Sequence, residues 1–180
     1  MGKVLVLNMK DIKFDGDILD VSSDNSGVIY SLSKEAEDEL SIDYIDEEDK
    51  LEKQRYDVCT FFFNINTLWT PWRKESLIKK VTSSLKDNGR IYLWDMSKNR
   101  GELIDYKVKV ILPHNKIKEV SFKNLNPLAM CSFEEVQKII LKYYIIEEEK
   151  QWEDVFFISA VKKKDIKREE KIYENITYSS

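Results

Sequence analysis

The sequence has 180 residues, of which 29 are Lys or Arg and 33 are Asp or Glu, so its formal net charge is −4. Hydrophobic residues make up 42% and charged residues 34%, with 5 glycines and 3 prolines, which excludes collagen-like, low-complexity and wholly disordered chains. No apolar run approaches the roughly 20 residues of a membrane helix, and the acidic balance argues against nucleic acid as the main partner. The length favours a single domain with a sizeable core, which we place at residues 1–163.

The two cysteines, Cys59 and Cys131, provide neither a disulfide framework nor a spacing typical of zinc sites. The apolar stretch at residues 4–7 is too short for a secretory signal. We therefore expect a cytoplasmic protein in a reducing compartment, with no membrane or metal partner.

Strand and helix patterns alternate through the first half of the chain. Residues 1–15 predict either a strand or an irregular lead-in, and residues 17–21 predict a buried strand followed by a polar loop. Further strands are predicted at 40–45, 57–63 and 90–95, with helices at 28–36 and from Pro71 to the Asn88-Gly89 pair. This order of elements is typical of a parallel sheet layered by helices.

The second half contains two predicted antiparallel hairpins. Alternating strands flank Pro113-His114-Asn115 and form an insertion at about residues 104–123, and a second hairpin combines 144–149 with 155–161. Between the hairpins, Ser132 and Glu135 form a capping box at the start of an amphipathic helix. Residues 164–180 form a charged C-terminal tail, which we expect to be a frayed helix or disordered.

Four stretches resemble, in this order along the chain, the motifs of the class I S-adenosylmethionine-dependent methyltransferases. They are Ile18-Leu19-Asp20-Val21 with the loop to Gly27, Ile42-Asp43-Tyr44, Tyr56-Asp57-Val58 through Phe63-Asn64, and Leu85-Lys86-Asp87-Asn88-Gly89-Arg90-Ile91-Tyr92. The resemblance covers about residues 17–163. It implies an α/β, Rossmann-like methyltransferase fold with a mostly parallel sheet, helices on both faces and a C-terminal antiparallel hairpin.

The same resemblance implies S-adenosylmethionine as the cofactor. In this family the loop after the first motif strand holds the amino-acid end of the cofactor, and the acid of the next strand binds the ribose hydroxyls. The 23 residues from Asp20 to Asp43 agree with the roughly 20 expected between a nucleotide loop and its ribose acid. The predicted cofactor-binding residues are Asp20, Ser22, Ser23, Asp24, Gly27 and Asp43.

The catalytic residues that the resemblance implies are Phe63 and Asn64. They leave the strongest predicted strand at the end that faces the methyl donor in the family. In open α/β sheets, ligands bind outside the carboxyl ends of the strands, where the strand order reverses. A loop asparagine also has a purely structural interpretation as a turn former.

The glycine-rich motif of the family is altered in this chain. Aligning Asp20 with the acid of that motif puts Ser22, Asp24 and Ser26 at the glycine positions. Glycine serves there because it permits positive φ and close approach of the backbone to a ligand. The charge of Asp24 would repel the carboxylate of the cofactor by roughly 1–4 kcal/mol at about 4 Å.

The chain is also shortened after its second motif strand. Only 13 residues separate Asp43 from Asp57, where the family has a helix, a third strand and another helix. The third strand region is therefore shortened, and the acid that faces adenine in many family members has no counterpart.

Two functions of different classes remain open at this stage. The first is a small, divergent methyltransferase that acts on an unknown small molecule or protein. The second is a catalytically inactive protein of the same fold that serves in binding or assembly. A weaker third alternative is the binding of another nucleotide in the same crevice. The strand region at 40–45 invites pairing with another chain, which would give a homodimer.

Three further residues have two interpretations each. Trp69 and Trp72 either form the floor of a substrate pocket or pack against the neighbouring helix. His114 is the one histidine of the sequence and is either a general base or a hairpin-turn residue.

Overall fold

The computed structural model describes residues 3–21, 26–34, 42–45 and 51–164. The predicted tail therefore lies, apart from Lys164, outside the described residues. The strands are β1 (Lys3–Asn8), β2 (Ile18–Val21), β3 (Ile42–Ile45), β4 (Tyr56–Phe62), β5 (Leu85–Met96), β6 (Ile104–Ile111), β7 (Ile117–Asn124), β8 (Tyr144–Trp152) and β9 (Val155–Lys162).

Three α-helices lie within the described part of the chain, and all three begin where the sequence predicts. They are α1 (Val28–Lys34), α2 (Pro71–Ser84) and α3 (Phe133–Tyr143). The Thr70 side chain accepts a hydrogen bond from the backbone N–H of Arg73 at the start of α2, and Ser132 accepts one from Glu135 at the start of α3. No helix among the described residues is long and apolar enough to cross a membrane.

A mixed sheet of six strands, in the order β3-β2-β4-β5-β9-β8, forms the centre of the molecule. Strand β2 pairs in parallel with β3 and β4, and β4 pairs in parallel with β5. Strand β9 runs antiparallel to both β5 and β8, which is the predicted C-terminal hairpin. The sheet is thus parallel in its first four strands and antiparallel at its far edge.

The inserted hairpin belongs to a second sheet. Strands β6 and β7 pair antiparallel as predicted, but β1 adds to β6 in parallel and completes a sheet in the order β1-β6-β7. Residues 3–8 are therefore a strand rather than a lead-in. Leu5 and Leu7 are buried whereas Val4 and Val6 are exposed, so the alternation of β1 gives the small sheet one apolar face.

The apolar face of the small sheet covers one face of the six-stranded sheet. Its residues share a core with α1 and with Phe62, Trp94 and Phe157 of the large sheet. Helices α2 and α3 cover the opposite face, where their apolar stripes pack on residues such as Phe61 and Leu93. The prediction of helices on both faces is thus modified, because a sheet and one short helix cover the first of these faces.

The boundary between α2 and β5 differs from the prediction. The helix ends at Ser84, and Leu85 already has an extended backbone with φ −74° and ψ 137°. The side chain of Leu85 is fully buried and its backbone pairs with Tyr56, so tertiary packing ends the helix before the Asn88-Gly89 pair. Asn88 takes a positive φ of 63° inside the first, irregular part of β5.

The shortened segment between β3 and β4 leaves little room for another element. Residues 51–55, the described part that precedes β4, form a turn rather than a strand. In the large sheet β3 pairs with β2 alone, so among the described strands it forms the edge. The shortening of the third strand region of the family stays a prediction, because residues 46–50 lie outside the described part of the chain.

The turn between β6 and β7 predicts a stabilising substitution. His114 and Asn115 both have positive φ, 56° and 55°, which suits asparagine or glycine better than histidine. We expect His114→Gly to raise the free energy of unfolding by about 0.5–1 kcal/mol, or roughly 1–4 °C in Tm, because it relieves left-handed strain. Asn115→Gly is the control and should change Tm less; equal effects in thermal unfolding would contradict the strain argument.

Candidate active site

The strand order reverses between β2 and β4, and their carboxyl ends meet there. The chain leaves β2 to form β3 on one side and returns to form β4 on the other. Asn64, two residues after β4, donates from Nδ2 to the carbonyl oxygen of Val21, the last residue of β2, at 2.9 Å. This hydrogen bond joins the two strand exits at the position where open α/β sheets bind their ligands.

The side-chain oxygen of Asn64 is buried at this exit. Its side chain is almost completely buried, and Oδ1 has no hydrogen-bond partner among the described residues. A buried amide oxygen without a donor costs about 1–3 kcal/mol, so such groups are rare unless they serve a function. The predicted catalytic Asn64 therefore presents an acceptor at the strand exits.

The backbone of Phe63 is strained at the same exit. Its φ is 54°, a conformation that is costly for a bulky side chain, and its N–H donates to the carbonyl of Trp94 at 2.8 Å. The ring of Phe63 packs on Phe122 of β7 with 5.4 Å between ring centroids. Strained backbone conformations of this kind cluster at functional sites. The small sheet thus reaches the reaction centre that the resemblance implies.

Asp20 lies on β2 beside this exit, almost completely buried. It pairs with Thr60 of β4, whose hydroxyl donates to Asp20 Oδ1 at 2.6 Å. Burial raises the pKa of Asp20 to about 6, although the Thr60 hydrogen bond opposes that rise. Asp20 therefore remains mostly ionised at neutral pH, at a substantial cost in desolvation.

The loop after β2 is described only at its end. Ser22, Ser23 and Asp24 lie outside the described residues. Gly27 precedes α1 with φ 61°, and its carbonyl accepts from the Ser31 hydroxyl at 2.7 Å and from Nζ of Lys118 at 2.7 Å. Glycine adopts this left-handed backbone conformation without strain, which explains its presence at this position.

Asp43 lies on β3, two residues before the end of the strand. Its Oδ2 atom accepts from the hydroxyl of Tyr56 at 2.8 Å and lies 2.7 Å from the guanidinium of Arg55. Both partners lie at the start of β4 or just before it, rather than at its exit. Burial together with Asp43 raises the pKa of Tyr56 to about 12. The Asp43 carboxylate therefore has two partners within the protein, in addition to any ligand.

A second polar network lies at the end of β5, around Asp95. Asn66 donates from its side chain and its backbone to the two oxygens of Asp95, and Asn124 of β7 donates to Asn66. Burial raises the pKa of Asp95 to about 6. Asn124 could not be identified from the sequence, because nothing in the local sequence links β7 to this edge.

The tryptophans near α2 are exposed. Trp69 is 49% and Trp72 is 75% exposed, so neither packs fully against the neighbouring helix. Trp72 instead borders a shallow groove along α2 with Arg73, Ser76, Leu77 and Lys80.

The fold recurs in solved structures, although no family model and no curated protein matches the sequence. An S-adenosylmethionine-dependent methyltransferase from Methanosarcina mazei matches with TM-score 0.56 and 14% identity, over 86% of this chain and 95% of that one. A second from Clostridium acetobutylicum matches with TM-score 0.53 and 12% identity, over 83% and 85%. The chain has the class I methyltransferase fold.

An N-methyltransferase from Bradyrhizobium japonicum, NodS, extends this comparison to a structure with a ligand. It was solved in complex with S-adenosylhomocysteine and matches with TM-score 0.53 and 9% identity, over 83% of this chain and 79% of that one. At these identities the likeness concerns the methyltransferase fold alone. The chemistry of this chain depends on its own residues at the exits of β2 and β4.

Proposed function

We propose that this chain is a methyltransferase that uses S-adenosylmethionine. The observation that carries the proposal is the position of Asn64, whose buried Oδ1 lacks a donor among the described residues where the strand order of this fold reverses. Asn64 is also fixed by its hydrogen bond to Val21, so the acceptor is held rigidly. A rigid acceptor in a desolvated site is suited to orienting an N–H or O–H nucleophile.

The residues at the exits fit the proposed cofactor. Gly27 has the backbone freedom that close approach to a ligand requires, and Lys118 places a positive charge beside it. From the resemblance, we assign the amino-acid end of the cofactor to Asp20 and the loop at 22–27, and the ribose to Asp43. When bound, S-adenosylmethionine supplies an electrophilic methyl group on a sulfonium.

The side chains of this chain would contribute orientation and exclusion of water. Asn64 Oδ1 accepts a hydrogen bond from the incoming nucleophile and fixes the orientation of that nucleophile. Phe63 and Phe122 form an apolar wall beside it, which removes water from the nucleophile. Methyl transfer depends mainly on such positioning, so a dedicated acid–base pair is not required.

Location and assembly are part of the proposal. Cys59 and Cys131 are buried, free thiols, which supports a reducing compartment such as the cytosol. We also propose a homodimer through β3, which forms the edge of the large sheet among the described strands.

Calorimetric titration with S-adenosylmethionine and S-adenosylhomocysteine tests the function. Ligand at about 100 times its Kd should raise the free energy of unfolding by about 2.7 kcal/mol, which shifts Tm by roughly 5–10 °C. We expect Asp43→Ala to weaken binding by roughly tenfold to a hundredfold, because hydrogen bonds to a charged group are worth about 1.5–3 kcal/mol.

Arg55→Met is the matched control for Asp43→Ala. It removes the internal ion pair and leaves the carboxylate in place. Its affinity for both ligands should therefore equal or exceed that of the unmodified protein. If neither ligand binds the unmodified protein at millimolar concentration, the alternative of a catalytically inactive binding or assembly protein replaces the proposal.

A further inference from the structure

Lys118 of the inserted sheet reaches the loop that follows β2. It lies near the start of β7, and its Nζ atom donates to the carbonyl of Gly27 at 2.7 Å and to the hydroxyl of Ser31 at 3.2 Å. Three positions of β7 face the large sheet in this region: Lys118 meets Gly27, Phe122 meets Phe63, and Asn124 meets Asn66. Strand β7 therefore spans the exits of β2 and β4.

The ammonium of Lys118 lacks a negative partner among the described residues. No carboxylate there lies within 4.0 Å of Nζ, whereas Lys109 and Lys123 of the same sheet pair with Glu119 and Asp105. Lys118 is partly buried, and loss of hydration lowers its pKa. A partly dehydrated cation is stabilised by a nearby negative charge, so the position of Lys118 favours the binding of an anionic group beside it.

The two hydrogen bonds of Lys118 leave one N–H of the ammonium for such an anion, because an ammonium has three donors. The neighbouring carbonyl of Gly27 cannot bind an anion, so the charge of Lys118 is the attractive group at this end of the crevice.

We propose that Lys118 binds the carboxylate of an α-amino-acid group at the Gly27 end of the crevice. The inference rests on the proposed function, in which that group is the methionine part of the cofactor. A side chain from the inserted sheet would then supply the attraction that the altered, glycine-poor loop lacks. The inserted hairpin at about residues 104–123 would then contribute a ligand-binding side chain and would not merely cover the site.

Two ligands that differ only in the amino-acid part test the role of Lys118. S-adenosylhomocysteine carries the carboxylate, whereas 5′-methylthioadenosine retains the adenosine and the thioether without it. We expect Lys118→Met to weaken the binding of S-adenosylhomocysteine by ten- to a hundredfold in calorimetric titrations. Binding of 5′-methylthioadenosine should change by less than twofold.

Lys107→Met is the matched control, because Lys107 is exposed on the outer face of the same sheet. It should leave both affinities unchanged. Lys118→Gln is the second variant if Lys118→Met does not fold: it retains a donor toward Gly27 and should show the same loss specific to S-adenosylhomocysteine.

The outcomes separate the two proposals. Equal weakening of both ligands by Lys118→Met, or no weakening of either, overturns the role of Lys118 and leaves the proposed function standing. Failure of the unmodified protein to bind either ligand overturns both. A loss confined to the ligand with the carboxylate supports both.

Discussion

Replacing Glu135 with glutamine is expected to lower the free energy of unfolding by about 3 kcal/mol. Glu135 is the one carboxylate, among the described residues, within 4.0 Å of Nζ of Lys74, at 2.8 Å. The Lys74 side chain is completely buried in the contact between α2 and α3, and it also donates to the carbonyl of Met130. Removing one partner of a buried ion pair leaves an uncompensated charge, which typically costs about 3–5 kcal/mol.

Lys74→Met should cost less than Glu135→Gln. The Glu135 side chain remains 24% exposed, so its charge can be hydrated when the lysine is absent, at a cost of about 1–2 kcal/mol. The double variant removes both charges, so its destabilisation should fall short of the sum of the single effects by about 2 kcal/mol. Urea unfolding of the four proteins measures this coupling.

The chain provides a matched exposed pair for this experiment. Lys142 and Glu75 join the same two helices at 2.7 Å, but their side chains are 51% and 36% exposed. Solvent-exposed pairs contribute about 0–1 kcal/mol, so Lys142→Met should change stability by less than Lys74→Met. If the exposed pair proves as strongly coupled as the buried one, burial is not what makes the Lys74 pair important.

The same glutamate shows where local sequence reasoning ends. The pattern of Ser132 and Glu135 predicts a capping box, and Ser132 does cap α3. The second half of the motif is absent, because Glu135 Oε2 bonds Lys74 and Oε1 has no partner among the described residues. The Glu135 carboxylate instead accepts a hydrogen bond from Lys74, which lies 61 positions away in sequence. Local sequence patterns cannot predict such a tertiary partner.

The large sheet was predictable because each of its parallel strands has a local signal. The apolar strand β4, the proline at the start of α2 and the order of strands and helices restrict the topology to few alternatives. The partner of β1 was not predictable, because alternation indicates a strand but not its neighbour. Strand β1 pairs with β6, about one hundred residues later.

The candidate site divides in the same way. The position of Asn64 was predictable because it follows the apolar strand β4, whereas its catalytic role stays a prediction. Lys118 and Asn124 were not predictable, since their positions depend on how the small sheet docks on the large one. The neighbours of Asp43 in the structure, Arg55 and Tyr56, follow it by about a dozen residues and are brought back by the turn before β4.

Asp20 and Asp95 are expected to respond in opposite directions to replacement by asparagine. Both are almost completely buried, and burial raises the pKa of each to about 6 from 3.8. Thr60 donates to one oxygen of Asp20. Asp95 differs, because both of its oxygens accept: Oδ1 from Met96 at 2.8 Å and Oδ2 from the backbone of Asn66 at 3.1 Å.

The raised pKa values set the sign of the pH dependence. Between about pH 4 and 6 the native state retains protons that the unfolded state has released, so the free energy of unfolding falls as pH rises. The loss is complete above about pH 6, and each carboxyl contributes about 3 kcal/mol to it at about 1.4 kcal/mol per pH unit of pKa shift. Stability contributed by these two groups is therefore greatest below about pH 4.

At pH 7.5, Asp20→Asn should raise the free energy of unfolding by about 1 kcal/mol, because it removes a buried charge and its amide oxygen can still accept from Thr60. Asp95→Asn should lower the free energy of unfolding by about 2 kcal/mol. Both oxygens of Asp95 accept from N–H donors, so the amide NH₂ of the asparagine would face one of these donors in either orientation and leave that donor unsatisfied. Urea unfolding at pH 4.5 and 7.5 measures both effects, and Asp20→Asn should also flatten the difference between the two pH values. Equal responses of the two variants would mean that desolvation of charge, rather than the arrangement of donors, governs both sites.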